Sequence, residues 1–288
     1  MGHLRRPRRR PATCRGEGPL VQGSIPDAEL DELLALACDL ATAAARVHVE
    51  GLRDELRIET KSSPTDVVSQ IDQRAERLIV ERLRELRPDD ALLAEEGSLM
   101  DGSSGVRWVI DPLDGTTNYV YGYPAFGVSI AVELEGRARI GVVYDSSAGH
   151  LFRAVEGGGA WRDDRLVQAN DKRELATALV ATGYSYDAAQ RVRQGLASAH
   201  VLGRVRDLRR DGSAALDLCR VAAGEVDAFW ELDLSPWDYA AGTLIAREAG
   251  AEVVLAQAAH GRGPAVAAAC PALMPAFLDL LREAGAIV

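Results

Sequence analysis

Acidic residues at three places in the chain carry its strongest chemical signal. Glu95-Glu96 follows a strand-like run, Asp111 and Asp114 follow another, and Asp238 opens a predicted helix. Two carboxylates brought to ~4 Å repel by about 4 kcal/mol at an effective dielectric near 20. A fold that gathers four of them needs cations, and oxygen ligands alone favour Mg²⁺, Mn²⁺ or Ca²⁺ over zinc. The five histidines have no paired spacing that would indicate a histidine-based metal site.

The run 111–117, here called the acidic motif, reads Asp-Pro-Leu-Asp-Gly-Thr-Thr. Pro112 stiffens the turn, so that both carboxylates can point to one centre. Gly115 permits a close backbone approach, and Thr116 and Thr117 are predicted to begin a helix, whose N–H groups can bind a phosphate oxygen. Standing alone, such a run is more often an Asp-rich turn with a threonine N-cap, so the motif needs support from the rest of the chain.

The elements that must position these acids alternate between helical and strand-like patterns, which predicts an α/β chain. Helices are expected from residue 27, from between 65 and 69 to Pro88, near 188–203, 213–223 and 237–249, and after Pro271. Strands are expected at 91–94, 108–110, 126–134, 138–144, 151–155, 178–182, 227–230, 252–255 and 265–269. Ser69 and Asp72 have the spacing of a capping box, and Glu135-Gly136 predicts a hairpin turn. No repeat is present, and two packed sub-domains, 27–150 and 151–288, are expected.

Composition limits the classes of protein to which the chain can belong. Of its 288 residues, 47% are hydrophobic and 26% charged, which excludes a disordered or fibrous chain. Residues 1–26 hold six arginines and one acid and are interpreted as a disordered basic tail, with non-specific anion binding as the alternative. The remainder is strongly acidic, which argues against a nucleic-acid-binding surface.

The cellular setting is predicted from the cysteines and the apolar runs. The four cysteines are scattered without a CxxC pair, which is typical of thiols in a reducing compartment, and a cytoplasmic location is expected. The uncharged run 264–278 contains three prolines and is shorter than the ~20 residues that cross a membrane, so no membrane association is expected.

Taken together, the motifs resemble those of the inositol monophosphatase family. Residues 108–118 are similar to its first motif nearly residue for residue, and residues 237–242 are similar to its second. Further matches fall in the family's order and spacing: 61–66, Asp72-Gln73, Glu95-Glu96, 212–215 and Glu231. The resemblance covers residues 27–288 and is strongest to the bacterial, SuhB-like branch. It implies the layered αβαβα sandwich shared with fructose-1,6-bisphosphatases, and a homodimer.

The resemblance also implies a Mg²⁺-dependent, lithium-sensitive phosphomonoesterase that hydrolyses myo-inositol 1-phosphate or a related polyol monophosphate through metal-activated water. Two or three Mg²⁺ ions would be held by Glu95, Asp111, the carbonyl of Leu113, Asp114 and Asp238. The attacking water would be activated by Thr116, Asp72 and Glu95. Lys61 and Glu96 would support the site from outside it.

The substrate would be bound on two sides. Phosphate would meet the N–H groups of Gly115 and Thr116, and the leaving alcohol would meet Asp114, Gly212, Ala214 and Glu231. Two departures from the family pattern stand near these residues. Ala94 replaces a usual glycine before the paired glutamates, and Asp233 replaces a glycine that is frequent in the bacterial branch.

Other functions stay open from the sequence alone. Relatives with the same chemistry act on histidinol phosphate, 3′-phosphoadenosine 5′-phosphate or fructose 1,6-bisphosphate. No aromatic slot for a nucleotide is identifiable, whereas Glu231 and Asp233 could attract the ammonium group of histidinol phosphate. A binding protein of a transcription complex is the alternative from a different class, with any nucleic-acid contact limited to a weak one through the tail.

Overall fold

The computed structural model describes residues 27–61, 67–261 and 263–288, and the expected tail 1–26 lies outside the described residues. The helices of this part are α1 (Asp27–Gly51), α2 (Gln70–Leu86), α3 (Thr116–Tyr121), α4 (Ala188–Leu202), α5 (Ala214–Ala222), α6 (Pro236–Glu248) and α7 (Met274–Glu283). The first ten strands are β1 (Ile58–Thr60), β2 (Val67–Ser69), β3 (Ala91–Ala94), β4 (Leu99–Met100), β5 (Val106–Asp114), β6 (Gly127–Leu134), β7 (Arg137–Asp145), β8 (His150–Val155), β9 (Ala160–Arg162) and β10 (Arg165–Val167). The last five are β11 (Leu179–Thr182), β12 (Asp207–Arg209), β13 (Ala228–Leu232), β14 (Glu252–Gln257) and β15 (Pro264–Ala269).

The strands form two main sheets. The first has eight strands in the order β10-β9-β8-β7-β6-β5-β3-β4, and only its β3–β5 pair is parallel. The second has five strands in the order β12-β11-β13-β15-β14, with β11 parallel to both of its neighbours. The two-residue turn between β6 and β7 has Glu135 at φ 52° and Gly136 at φ 74°, as the left-handed turn of a tight hairpin requires.

Side chains alternate between the two faces of each sheet, and helices cover both faces. The result is a fold of five layers. Trp108 of β5 packs under α1 and α2, while its neighbour Val109 faces α5 and α6. In the second sheet Phe229 faces α5 and α6, and Trp230 faces α4 and α7. The order is therefore α1/α2, first sheet, α5/α6, second sheet, α4/α7, and the αβαβα sandwich expected from the resemblance is confirmed.

Local signals in the sequence predicted most element boundaries, with informative exceptions. Ser69 and Asp72 form the expected capping box, in which the Asp72 carboxylate accepts the Ser69 N–H at 2.9 Å. The strand expected at 108–110 runs on to Asp114, so the first part of the acidic motif is strand, not turn. The division expected near residue 150 falls inside the first sheet, and the chain changes sheets between Val167 and Leu179. No described helix has both the length and the apolarity to span a membrane.

Candidate active site

Four carboxylates meet where β3 and β5 end and α6 begins. Burial raises the pKa of the Asp111 carboxyl well above its usual range, and the charges of Glu95, Asp114 and Asp238 raise it further. Asp111 also shares a hydrogen bond with Glu95, which places these two side chains in contact. Burial likewise raises the pKa of Asp114 to about 6 and that of Asp238 well above its usual range. The structure therefore brings together the acids that the sequence nominated from three distant segments.

Hydrogen bonds at two helix N-termini fix the orientation of two of these carboxylates. Asp114 Oδ2 accepts the Ser213 hydroxyl at 2.5 Å and the Ala215 N–H at 2.9 Å, which ties the acidic motif to the start of α5. Asp238 Oδ2 accepts the Ser235 N–H at 2.6 Å at the start of α6. Both acids thus lie at the positive end of a helix, which favours a carboxylate. Ser213 and Ser235 were missed by sequence reasoning, although an N-cap serine before each helix is a readable signal.

Lys61 supplies a positive charge to the glutamate pair. Its Nζ lies 2.9 Å from Glu95 Oε1 and 2.5 Å from Glu96 Oε1. Burial alone would lower the pKa of the Lys61 ammonium, but the charges and hydrogen bonds of both glutamates together raise it. From the other side the buried Glu76 carboxylate accepts the Glu96 N–H at 2.9 Å and the Ser98 N–H at 3.2 Å. Glu76 thus holds the turn that presents the pair, a role that sequence reasoning missed.

The carboxylate oxygens of the four acids suit a hard divalent cation, although the side chains do not yet stand in the arrangement of a complete coordination shell. Within residues 27–61, 67–261 and 263–288, no three His, Cys, Asp or Glu side chains already stand in a metal-ligating arrangement. The raised pKa values of Asp111, Asp114 and Asp238 have a clear physical cause, since burial and mutual repulsion both oppose ionisation. A bound cation would relieve both penalties, so the residues present fit an oxygen-ligated ion once their side chains adjust.

Thr116 and Asp72 form the hydroxyl–carboxylate pair that the resemblance implied. The buried Thr116 hydroxyl donates to Asp72 Oδ1 at 2.8 Å and also lies 3.1 Å from the Leu113 carbonyl oxygen. Asp72 Oδ2 in turn accepts the Ser69 hydroxyl at 2.6 Å, so its carboxylate is held at both oxygens. Burial raises the pKa of Asp72. Because the Thr116 hydroxyl proton is donated to these acceptors, the hydroxyl oxygen can interact with another molecule only as a hydrogen-bond acceptor.

A buried histidine supports the acidic motif from behind. His48 of α1 has its Nε2 2.9 Å from the Pro112 carbonyl oxygen and its Nδ1 2.9 Å from the Ser146 hydroxyl. Burial lowers the pKa of this imidazole to about 4. Neutral His48 therefore donates from Nε2 to Pro112 and accepts from Ser146 at Nδ1. No pattern in the sequence could have associated this lone helical histidine with the motif.

Two glycines let the acidic motif pack directly on the loop before α5. Gly115 has φ 89° and Gly212 has φ 90°, both in the left-handed region that favours glycine. A Cβ on Gly115 would lie 2.7 Å from the Ala125 carbonyl oxygen and 3.4 Å from that of Gly212. Asn118 Nδ2 donates to the Ala125 and Asp211 carbonyls, joining the two loops. The predicted substrate residues Gly115, Gly212 and Ala214 are thereby brought together.

A cavity of about 630 Å³ opens beside the carboxylates. Its wall includes the predicted residues Lys61, Glu95, Glu231 and Asp238. Burial raises the pKa of Glu231 to about 8. Sequence reasoning missed several further lining residues, namely Tyr184, Ser185, Tyr186, Asp187, Gln190 and Arg193. Asp233 also lines it with φ 66°, so the aspartate adopts the backbone conformation that explains the glycine common here in the bacterial branch.

Comparison with known proteins places the chain in a family. Residues 29–285 match the inositol monophosphatase family. The chain belongs to this family. Inositol-1-monophosphatase SuhB of Mycobacterium tuberculosis is 42% identical over 279 residues, covering 90% of this chain and 96% of that protein. A protein of Pasteurella multocida named Nus factor SuhB is 42% identical over 225 residues, covering 77% of this chain and 84% of that protein.

Solved structures agree with this placement. The crystal structure of extragenic suppressor protein suhB from Bartonella henselae superposes with a TM-score of 0.80 at 34% identity, covering 88% of this chain and 98% of that one. Membership of the inositol monophosphatase family supports phosphatase activity of this superfamily, whose members are generally metal-dependent.

Proposed function

We propose that the protein is a Mg²⁺-dependent phosphomonoesterase that releases phosphate from myo-inositol 1-phosphate or a related polyol monophosphate. The observation that carries this proposal is the convergence of Glu95, Asp111, Asp114 and Asp238 beside the 630 Å³ cavity. A cluster of one buried and three half-buried acids is costly in a metal-free protein, so a fold that builds one gains from binding cations.

The proposed ion ligands are Glu95, Asp111, the Leu113 carbonyl, Asp114 and Asp238. When bound there, Mg²⁺ neutralises phosphoryl oxygens, lowers the pKa of water and stabilises the departing alkoxide. The chain's own contribution is to hold Asp114 and Asp238 at helix N-termini and to balance Glu95 with Lys61 until an ion replaces that ammonium. Glu96, held by Glu76 and Lys61, keeps the loop in place.

Thr116 and Asp72 are proposed to orient the attacking water. Because the Thr116 hydroxyl donates to Asp72 Oδ1, its oxygen can only accept a hydrogen bond from water. A water that donates to Thr116 turns a lone pair away from the threonine and toward the phosphorus atom. Glu95, which lines the cavity, is the acid proposed to stand on the other side of that water.

The remaining predicted residues are proposed to bind the phosphate group and the alcohol of the substrate. The N–H groups of Gly115 and Thr116 would hold the phosphate, and Asp114, Gly212, Ala214 and Glu231 would meet the alcohol. Within the described part of the chain no donor bonds the Glu231 carboxylate, so it is free to accept hydroxyl donors from a polyol. A polyol offers several such donors and therefore suits this wall of the cavity.

A phosphate-release assay tests the function and ranks the substrates. We expect EDTA-treated protein to regain activity with Mg²⁺, and myo-inositol 1-phosphate to be hydrolysed faster than histidinol phosphate, 3′-phosphoadenosine 5′-phosphate or fructose 1,6-bisphosphate. Asp238→Asn should remove this activity, whereas Asp279→Asn, a change of an exposed aspartate on α7, should preserve it. Metal-independent turnover, or full activity of Asp238→Asn, would exclude the proposed ion ligands.

A second candidate function comes from the relative named Nus factor SuhB. We propose binding to a transcription complex as a second function that does not use the acid cluster of the phosphatase site. Pull-down of RNA polymerase with the full chain, with Asp238→Asn and with residues 1–26 deleted tests this. Retained capture by Asp238→Asn supports separate functions, and no capture by the full chain rejects the second one.

We also propose that the protein is a homodimer and is located in the cytoplasm. Light scattering tests the first proposal, and cell fractionation tests the second.

A further inference from the structure

Gly183 lies directly against the carboxylate of Glu231. It follows β11, whose last residue Thr182 is the register partner of Trp230 on the parallel strand β13. The next residues along the two strands, Gly183 and Glu231, are therefore neighbours. A Cβ built on Gly183 would lie 2.1 Å from the Glu231 carboxyl carbon and 2.1 Å from each of its oxygens. No side chain can occupy that space while the carboxylate stays where it is.

Space, and not backbone conformation, is what requires glycine at this position. The φ angle of Gly183 lies outside the left-handed region, so an L-residue could adopt its backbone without strain. The residue is buried, and the three atoms nearest to an added Cβ are all in the Glu231 carboxyl group. A larger residue at position 183 would therefore first displace the Glu231 carboxyl group.

The charge of Arg210 acts on the Glu231 carboxylate, but hydrogen bonds from the described residues do not fix it. No hydrogen-bond donor among residues 27–61, 67–261 and 263–288 reaches it, in contrast to Asp114 and Asp238, which are held by helix N-termini. Phe229 faces the middle helical layer, so Glu231, two residues further along β13, points to the same side and into the cavity. How far the Glu231 carboxylate extends into the cavity is therefore limited by how closely it can approach the backbone of Gly183.

We propose that Gly183 is a positioning residue that sets the depth of the Glu231 carboxylate in the cavity and thereby selects alcohols that carry hydroxyl groups. This rests on the proposed function, in which Glu231 accepts hydrogen bonds from the leaving alcohol. An alanine methyl would push the carboxylate about 1 Å or more into the cavity before ordinary van der Waals contact is restored. Hydrogen bonds to substrate hydroxyls tolerate only a few tenths of an ångström.

Gly183→Ala and Gly195→Ala form a matched pair of variants. Gly195 lies in α4, and a Cβ there would meet nothing within 4 Å. Each variant is assayed with myo-inositol 1-phosphate and with 4-nitrophenyl phosphate, whose leaving group has no hydroxyl to reach Glu231. We expect Gly183→Ala to lose at least about tenfold in kcat/KM for the inositol ester and less than about threefold for the nitrophenyl ester. Gly195→Ala should have the same ratio of kcat/KM values for the two esters as the wild-type protein.

A Glu231→Ala background separates this role from general damage. If Gly183 acts only through Glu231, adding Gly183→Ala to Glu231→Ala should change neither the selectivity nor the Tm, because the methyl then has room. Equal losses on both esters, or losses that add in the double variant, would overturn the inference. If the wild-type protein cleaved neither ester, the proposed function would fail, and the Tm comparison would still decide whether Gly183 and Glu231 compete for one space.

Discussion

Replacing Asp111 by asparagine should abolish Mg²⁺-dependent phosphate release while making the metal-free protein more stable at pH 8. The asparagine would keep the side-chain oxygen that accepts the Leu113 N–H at 3.0 Å, so this hydrogen bond is preserved. What disappears is a buried negative charge in contact with Glu95 and close to Asp114 and Asp238. A residue that we propose as an ion ligand is thus expected to destabilise the metal-free fold.

The size of the expected gain in stability follows from the repulsion between the carboxylates. One pair of carboxylates at ~4 Å costs about 4 kcal/mol at an effective dielectric near 20, and each unit by which burial and repulsion raise the Asp111 pKa costs about 1.4 kcal/mol of stability at high pH. We expect a gain of about 2–4 kcal/mol for Asp111→Asn in EDTA at pH 8, or about 3–7 °C in Tm for a chain of this length. An acid whose pKa is raised in the folded state stabilises that state when protonated, and this contribution is lost as the pH rises through the raised pKa. The gain should therefore shrink toward zero near pH 4.

Thermal unfolding with EDTA and with Mg²⁺, at several pH values, provides the assay. Wild-type Tm should rise with Mg²⁺ at pH 8, and that of Asp111→Asn should not. Asp279→Asn on the surface of α7 serves as the control that changes one exposed charge. A variant less stable than wild type in EDTA at pH 8 would refute the reasoning, because the four acids would then not repel one another.

Three further substitutions test parts of the structure around the site. His48→Leu should lower the free energy of unfolding by about 3 kcal/mol in urea denaturation, because it leaves two buried polar groups unpaired, and His48→Gln should lose less. Gly141→Ala should cost about 1–3 kcal/mol in the same measurement, since a Cβ there would lie 2.6 Å from a carbonyl oxygen of α6. Thr116→Val should reduce kcat about 100-fold or more with KM little changed, as it removes the hydroxyl bonded to Asp72, while Thr117→Val should remain close to wild type.

The sequence predicted elements and acids well where local rules decide the outcome. The capping box at Ser69 and the hairpin turn at Glu135 depend on neighbours within four residues, so their patterns could be interpreted directly. The acidic motif could be nominated because its residue types are unusual together. Its continuation of strand β5 was not predicted, because the pairing of Asp114 with Gly127 that extends the strand is a tertiary contact.

Residues that act across the fold could not be predicted. His48 is 64 positions from the proline carbonyl that it supports, and Gly183 is 48 positions from Glu231. Neither has a local pattern that distinguishes it from an ordinary helical histidine or a loop glycine. The short strands β9 and β10 at one end of the first sheet were missed for a related reason, since three residues of Ala-Trp-Arg or Arg-Leu-Val acquire a strand conformation only from the sheet beside them.

The middle layer has a consequence for how the protein matures. Helix α6 packs against both sheets and carries Asp238 in its first turn, whereas Asp111 and Asp114 belong to the first sheet. A nascent chain that has assembled only its first half lacks one acid and the support of α5 for another. Under the proposed function, divalent ions would bind only once both halves of the chain have assembled, and a truncated product without α6 would be inert toward phosphate esters.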